Sequence, residues 1–124
     1  MTTRRLATLQ WVGLLLGGAV WWGQHLVGVG ITHAECNSGG AALGIDQVVW
    51  QGTLMAVAAA LVLVAEAAAF AVLLRTRTST YEDPPPLGRI RFFAIAAIVA
   101  NVLFLVIILL DGTANLAEVA CRQS

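Results

Sequence analysis

Three long apolar segments, separated by polar connections, dominate the hydrophobic pattern of this chain. They run from about Leu6 to Ile31, from Val48 to Leu74 and from Phe92 to Leu110. Each has about the 20 apolar residues that an α-helix needs to cross a hydrocarbon core roughly 30 Å thick. Because a backbone in lipid must satisfy its own hydrogen bonds, segments of this length are helices and not strands. The pattern predicts an all-α membrane protein with three transmembrane helices, forming one membrane domain over residues 1–124.

Composition supports a membrane protein and excludes several other classes. The chain is 59% hydrophobic and 11% charged, with a mean hydropathy of +0.83. A soluble domain of 124 residues leaves too much surface in water to hide so many apolar side chains. The net charge is zero and no basic tract is present, so nucleic acid is not an expected partner. The first segment also exceeds the roughly 7–15 apolar residues of a cleavable signal peptide, so we expect it to be retained.

The distribution of arginine predicts the orientation of the helices, since the chain has no lysine. Cytoplasmic connections of membrane proteins are enriched in basic residues. We therefore expect a cytoplasmic N-terminus, an outer loop at 32–47, a cytoplasmic loop at 75–91 and an extracytoplasmic tail at 111–124. Only Arg122 lies on the outer side, against six arginines on the other: Arg4, Arg5, Arg75, Arg77, Arg89 and Arg91.

The polar connections carry local signals of their own. Asp46 stands just before the second segment, where its carboxylate can cap the helix N-terminus. Asp111-Gly112 is expected to end the third segment. The run Pro84-Pro85-Pro86 cannot continue a helix and favours an extended conformation. We interpret it as a stiff spacer between antiparallel helices, with a docking peptide for a cytoplasmic partner as the alternative.

The two cysteines, Cys36 and Cys121, fall on the same predicted outer side of the membrane. An oxidising compartment permits a disulfide if the two α-carbons lie within about 7 Å. Such a bond would tie the tail to the outer ends of the first two helices. The alternatives are two separate buried thiols, or a metal site that adds His33 and Glu35 as ligands of mixed hardness. We favour the disulfide and expect no metal site.

Glu66 and Asn101 are polar residues deep within the second and third segments. Each lies about the same number of residues from the arginine-rich connection, so the two side chains are predicted to share a depth in the membrane. An unpaired charge is costly there, so the carboxyl is expected to be protonated or hydrogen-bonded to a neighbouring helix. A structural hydrogen bond is the favoured interpretation, and a proton or ion site is the alternative.

Further polar groups are expected in the outer half of the bundle. Gln24 and His25 of the first segment are predicted to lie at a depth similar to that of Gln51 on the second. His25 can in principle ligate haem, but haem in a bundle needs axial ligands on facing helices. His33, the other histidine, follows on the same segment or loop. We therefore expect an interhelical hydrogen bond for His25 and no cofactor bound by this chain alone.

Small residues and tryptophans indicate how the first segment packs. Gly13, Gly17 and Gly28 recur at helical intervals and allow a neighbouring helix to approach closely. Trp21 and Trp22 fall near the middle of the segment and not at its ends, where membrane proteins usually place tryptophan. Rings at this depth indicate contact with protein, with a lipid or with a quinone tail. Three helices enclose little interior, so the surplus of close-packing faces favours a partner.

The outline of the chain is similar to a known group of proteins. Asn101–Leu110 is followed by Asp111-Gly112 and then by Cys121-Arg122-Gln123-Ser124. With the Trp- and Gly-rich first span and one cysteine in the outer loop, the chain resembles small three-span bacterial inner-membrane proteins whose genes lie beside those of haem-copper cytochrome c oxidases. Ala120 stands where that group often has proline. The resemblance implies an accessory or assembly subunit, with any haem or copper in partner subunits and no catalytic residues to transfer.

These observations favour a non-catalytic accessory or assembly subunit of a bacterial inner-membrane complex, with a respiratory terminal oxidase as the leading candidate. Its expected partners are the lipid bilayer and other membrane subunits. Two alternatives stay open. One is a small homo-oligomeric transporter or channel that uses Glu66. The other is a factor that delivers metal or haem through His33, Cys36 and Cys121.

Overall fold

Three long helices make up most of the described part of the chain. A computed structural model describes residues 1–36, 44, 46–80 and 82–117. Helix α1 spans Thr3–Cys36, α2 spans Gln47–Arg75 and α3 spans Leu87–Ala117. All three are long and apolar enough to cross a membrane, which is the pattern of a multi-pass membrane protein. The described residues contain no strand, so the predicted all-α architecture with three candidate spans is confirmed.

Both ends of α2 are closed by side chains from outside the helix. Asp46 is its N-cap, and one carboxylate oxygen accepts hydrogen bonds from the backbone N–H groups of Val48 (2.9 Å) and Val49 (3.3 Å). At the other end, the guanidinium of Arg91 donates to the carbonyl of Thr76 at 2.6 Å. A cation suits this position, because the last carbonyls of a helix lack intrahelical partners and carry partial negative charge. The connection to α3 is thereby fixed to the end of α2.

The connection between α2 and α3 turns within a few residues. Asp83 accepts hydrogen bonds from the backbone N–H and the hydroxyl of Thr80, both at 2.9 Å. The carbonyl of Pro86 accepts from the N–H of Ile90 at 3.0 Å, so α3 begins directly after the three prolines. The peptide bond between Pro85 and Pro86 is cis. Prolines suit this place because a helix start requires no N–H from the residues that precede it.

The helices extend beyond the apolar segments from which they were predicted. α1 continues through the expected start of the outer loop to Cys36, and α3 already begins at Leu87. The expectation that Asp111-Gly112 ends the third segment is wrong as a helix boundary, since α3 continues to Ala117. Gly112 is buried, and a Cβ there would collide with the side chain of Met55 on α2. Packing against α2 therefore holds this glycine inside a helix despite its low helix propensity.

The described core between the helices contains two apolar clusters, with further buried alanines outside them. All three helix pairs are in contact, and α2 is antiparallel to its neighbours. We call the end of the bundle that carries Arg4, Arg5, Arg75, Arg77, Arg89 and Arg91 the arginine-rich end. The cluster near it contains Leu6, Val72, Ile90 and Ala94. The second cluster, farther from it, contains Ala58, Val62 and Ile108, with Trp21 and Met55 among the side chains packed against it. Polar side chains lie between and beyond these clusters.

Candidate functional site

The three helices contact one another between the two apolar clusters. The amide Nδ2 of Asn101 on α3 donates to the carbonyl of Gly13 on α1 at 2.9 Å, and the Asn101 side chain is only 1% exposed. A Cβ placed on Gly13 would lie 3.1 Å from the backbone nitrogen of Ala69 on α2. A Cβ on Gly17 would collide with the Asn101 amide. Glycine at these two positions is therefore what allows α1 to contact both neighbours.

Glu66 completes this contact, which we call the central junction (Gly13, Gly17, Glu66, Ala69 and Asn101). Its half-buried side chain lies beside the Asn101 amide and interacts with it. The structure thus brings together the two polar residues predicted to share a depth. Two oxygens of the junction, Oε2 of Glu66 and Oδ1 of Asn101, are buried without a hydrogen-bond partner among the described residues. The Asn101 oxygen is a hydrogen-bond acceptor, and so is the Glu66 oxygen when the carboxyl is ionised. The junction therefore has unused capacity for a hydrogen-bond donor.

A second polar contact lies nearer the opposite end, and we call it the distal junction (Gln24, Gly28, Thr32 and Gln51). Nε2 of Gln51 on α2 donates to the carbonyl of Gly28 at 3.1 Å and to the hydroxyl of Thr32 at 3.2 Å. Gln24, predicted at the same depth, is buried, and its Oε1 has no hydrogen-bond partner among the described residues. Gln51 therefore contacts α1 at two residues, which lie one turn and two turns of helix after Gln24. Thr32 was missed from the sequence, where it was assigned to the loop.

His25 connects α1 to α3. Its Nδ1 lies 3.5 Å from Oδ2 of Asp111. The imidazole also stacks on Trp21, with ring centroids 6.2 Å apart, and Trp21 in turn stacks on Phe104 of α3 at 6.0 Å. Asp111 was not identified as the partner of His25 from the sequence. Spacing could have found it, because His25 follows Arg5 by the same number of residues as Asp111 follows Arg91.

The predicted disulfide falls partly outside the described residues. Cys36 is the last residue of α1, is half-buried and is not a free thiol. Cys121 lies outside the described part of the chain, so its pairing with Cys36 stays a prediction. Within the described ranges, no group of three His, Cys, Asp or Glu side chains is arranged to hold a metal ion.

The two central tryptophans have different surroundings. Trp21 is half-buried and packs against the second apolar cluster. The side chain of Trp22 points away from the bundle and is 55% exposed. A methyl group added to its neighbour Gly23 would meet no atom within 4 Å, so this face of α1 is open. The bundle therefore presents one large ring on its surface near the middle of a membrane-spanning helix.

Comparison with known proteins adds no identification. The chain matches no protein-family model, no curated protein and no solved structure. The features that bear on function are therefore the central and distal junctions and the surface of the bundle.

Proposed function

We propose that this chain is a non-catalytic accessory subunit of a larger complex in the bacterial inner membrane, with a respiratory terminal oxidase as the leading candidate. The observation that carries the proposal is the exposed indole of Trp22 near the middle of α1. Tryptophan in membrane proteins concentrates at the interfaces, where the ring is in an apolar layer and its N–H meets polar groups. At mid-span, a second protein surface supplies both the apolar contact and an acceptor.

The polar residues inside the bundle support the same role. Asn101 and Gln51 each donate to a backbone carbonyl of α1, and His25 contacts Asp111. These side chains join the helices of the chain to one another, which is the structural use of polar groups in membrane bundles. What remains for a partner is the apolar outer surface. An apolar outer surface is what a subunit needs in order to dock on a partner, whereas catalysis does not require one.

The proposal includes an orientation and a disulfide. The arginine-rich end is assigned to the cytoplasm by the positive-inside rule. The opposite end, with Cys36, then faces an oxidising compartment, and a bond to Cys121 would close a long loop. Such a bond restricts the unfolded chain and contributes roughly 2–4 kcal/mol in typical proteins. Mass analysis of the unreduced protein tests the bond directly, since one disulfide lowers the mass by two hydrogens.

Photocrosslinking from position 22 tests the proposal in native membranes. A benzophenone amino acid replaces Trp22 in one variant and Leu103 of α3, which is 59% exposed, in the control. After mild detergent extraction and native electrophoresis, we expect the chain to co-migrate with other subunits and to form a discrete crosslink to one of them from position 22. Crosslinks from the control position measure nonspecific encounters within the bilayer. Recovery of the chain only as a homo-oligomer, with crosslinks only to itself, would contradict the accessory role.

A homo-oligomeric transporter is the second candidate, and the two unpartnered oxygens of the central junction favour it. An ion or a proton can bind where Glu66 Oε2 and Asn101 Oδ1 lack donors. In vesicles reconstituted with the purified chain, this candidate requires a proton or cation flux that Glu66→Gln abolishes while the helical content is preserved. A flux that is absent, or equal in the variant, would exclude it.

A further inference from the structure

The surface of α1 carries an apolar groove in the half of the helix next to the arginine-rich end. It is a shallow groove, open along one side, with a volume of about 490 Å³. One stripe of α1 side chains lines it: Thr8, Trp11, Val12, Leu15, Leu16 and Ala19. The stripe extends over three turns along the axis of α1. An extended hydrocarbon chain fits such a shape.

Two arginines stand at the mouth of this groove. Arg4 and Arg5 are exposed and lie in the turn of α1 that precedes Thr8. At about 100° per residue, both fall within the arc of the helix surface that the groove residues cover. Among the described residues neither guanidinium forms an ion pair. The groove is therefore apolar along its length and positively charged at one end.

Trp11 connects the groove to α3. Its ring lies 6.2 Å from that of Phe93, measured between centroids. Arg89, which is exposed, precedes Phe93 by one helical turn and adds a third guanidinium to this side of the bundle. The indole N–H of Trp11 has no acceptor within the described ranges. Helical side chains lean toward the N-terminus, so the side chain of Trp11 covers the part of the groove nearer the arginines.

We propose that this groove is a binding site for an anionic phospholipid, with one acyl chain along the stripe from Thr8 to Ala19 and the phosphate at Arg4 and Arg5. Guanidinium groups bind phosphate oxygens through paired hydrogen bonds, and clustered arginines next to a membrane span attract anionic lipids. The exposed indole of Trp11 supplies a hydrogen-bond donor for an ester carbonyl. A second protein helix in the groove would confront two unpaired cations at its end, so charge complementarity favours the lipid. This site does not depend on the proposed accessory function.

Native mass spectrometry tests the site. The purified chain is exchanged into detergent micelles that contain equal amounts of phosphatidylglycerol and phosphatidylcholine. We expect retained phosphatidylglycerol on the wild type and about tenfold less on the double variant Arg4→Gln/Arg5→Gln. The matched control is Arg75→Gln/Arg77→Gln, which removes the same charge from two exposed arginines at the end of α2. The control is expected to retain the lipid as the wild type does.

A variant that keeps every charge controls for the possibility that loss of arginines alters membrane insertion. Ala19→Phe introduces a ring at the apolar end of the groove, at an exposed position outside the core. We expect it to lower retention of phosphatidylglycerol while all arginines remain. Equal retention of both lipids by the wild type would overturn the proposal, as would an equal loss in the control double variant. A wild-type dimer that Ala19→Phe converts to a monomer would also overturn it, because a second copy would then occupy the groove.

Discussion

The central and distal junctions use the same hydrogen bond in different settings. In each, a side-chain amide donates to the carbonyl of a glycine on α1: Asn101 to Gly13, and Gln51 to Gly28. A Cβ on Gly13 would meet the backbone of Ala69, whereas a Cβ on Gly28 would meet only the end of the Gln51 side chain, at 3.1 Å. The shorter asparagine thus lies where two helix backbones are in close contact. The longer glutamine side chain can adjust its position. The comparison shows that similar polar contacts differ in how much of the fold depends on them.

Alanine substitution of the glycines is expected to have the largest effect and tests this difference most directly. Gly13→Ala should lower the free energy of unfolding by about 1–3 kcal/mol, because α1 and α2 must move apart to admit the methyl group. Gly28→Ala should cost less, since Gln51 can shift. Unfolding in mixed detergent micelles, followed by circular dichroism, measures both changes.

Gly23→Ala is the matched control for these substitutions, because nothing lies within 4 Å of a Cβ at that position. It has the same change in helix propensity as the other two variants and none of their contacts. If Gly13→Ala and Gly23→Ala unfold at the same detergent fraction, the backbones at the central junction are not held at a fixed distance.

Removal of the amides is the next largest expected effect. Asn101→Leu deletes the hydrogen bond to Gly13, and Gln51→Leu deletes those to Gly28 and Thr32. An interhelical hydrogen bond in membrane proteins contributes about 0.6 kcal/mol on average and up to about 2 kcal/mol. Asn101→Leu should be the more destabilising, because it also leaves Glu66 without its polar neighbour and places a branched side chain beside Gly17. The same micelle titration compares them. An equal or larger loss in Gln51→Leu would reverse the ranking of the two junctions.

Much of this architecture could be predicted from the length and apolar composition of the three segments. The depth of Glu66 and Asn101, counted from the arginines, also indicated their meeting. The helix through Gly112 could not be predicted, because glycine and a preceding aspartate usually mark an end, and the close packing of Gly112 against Met55 of another helix is not visible in the sequence. The partner of His25 was missed because Asp111 was assigned to a helix end and not to a helix interior. The length of the apolar segments thus located the spans, whereas tertiary contacts determined where the helices end and which polar residues pair.

A smaller effect is expected for Glu66→Gln. The introduced amide can donate to Oδ1 of Asn101, which lacks a donor. We therefore expect the free energy of unfolding to equal that of the wild type or to exceed it by about 1 kcal/mol. Glu66→Leu, which cannot donate, serves as the control and should be less stable than Glu66→Gln. A glutamine variant less stable than the leucine variant would show that the carboxyl has a role at the central junction that an amide cannot replace.

The smallest expected effect is at the contact of His25 with Asp111. The two side chains are 3.5 Å apart and remain partly exposed, so the pair should contribute about 0–1 kcal/mol. Asp111→Asn should change the unfolding transition only slightly, and His25→Phe, which keeps a ring against Trp21, should change it no more. A large loss of stability in His25→Phe would show that this pair, and not the central junction, contributes most to holding the bundle together.

The long sequence separation of the contact between Asn101 and Gly13 has a consequence for the order of events during synthesis. The hydrogen bond from Gln51 spans 23 residues and can form once α2 has entered the bilayer, whereas that from Asn101 spans 88 residues. Glu66 is synthesised 35 residues before Asn101. At about 5–20 residues per second, the interval lasts seconds. Until α3 joins the bundle, the α1–α2 pair carries the Glu66 carboxyl without its Asn101 neighbour, and the arrival of α3 supplies that neighbour.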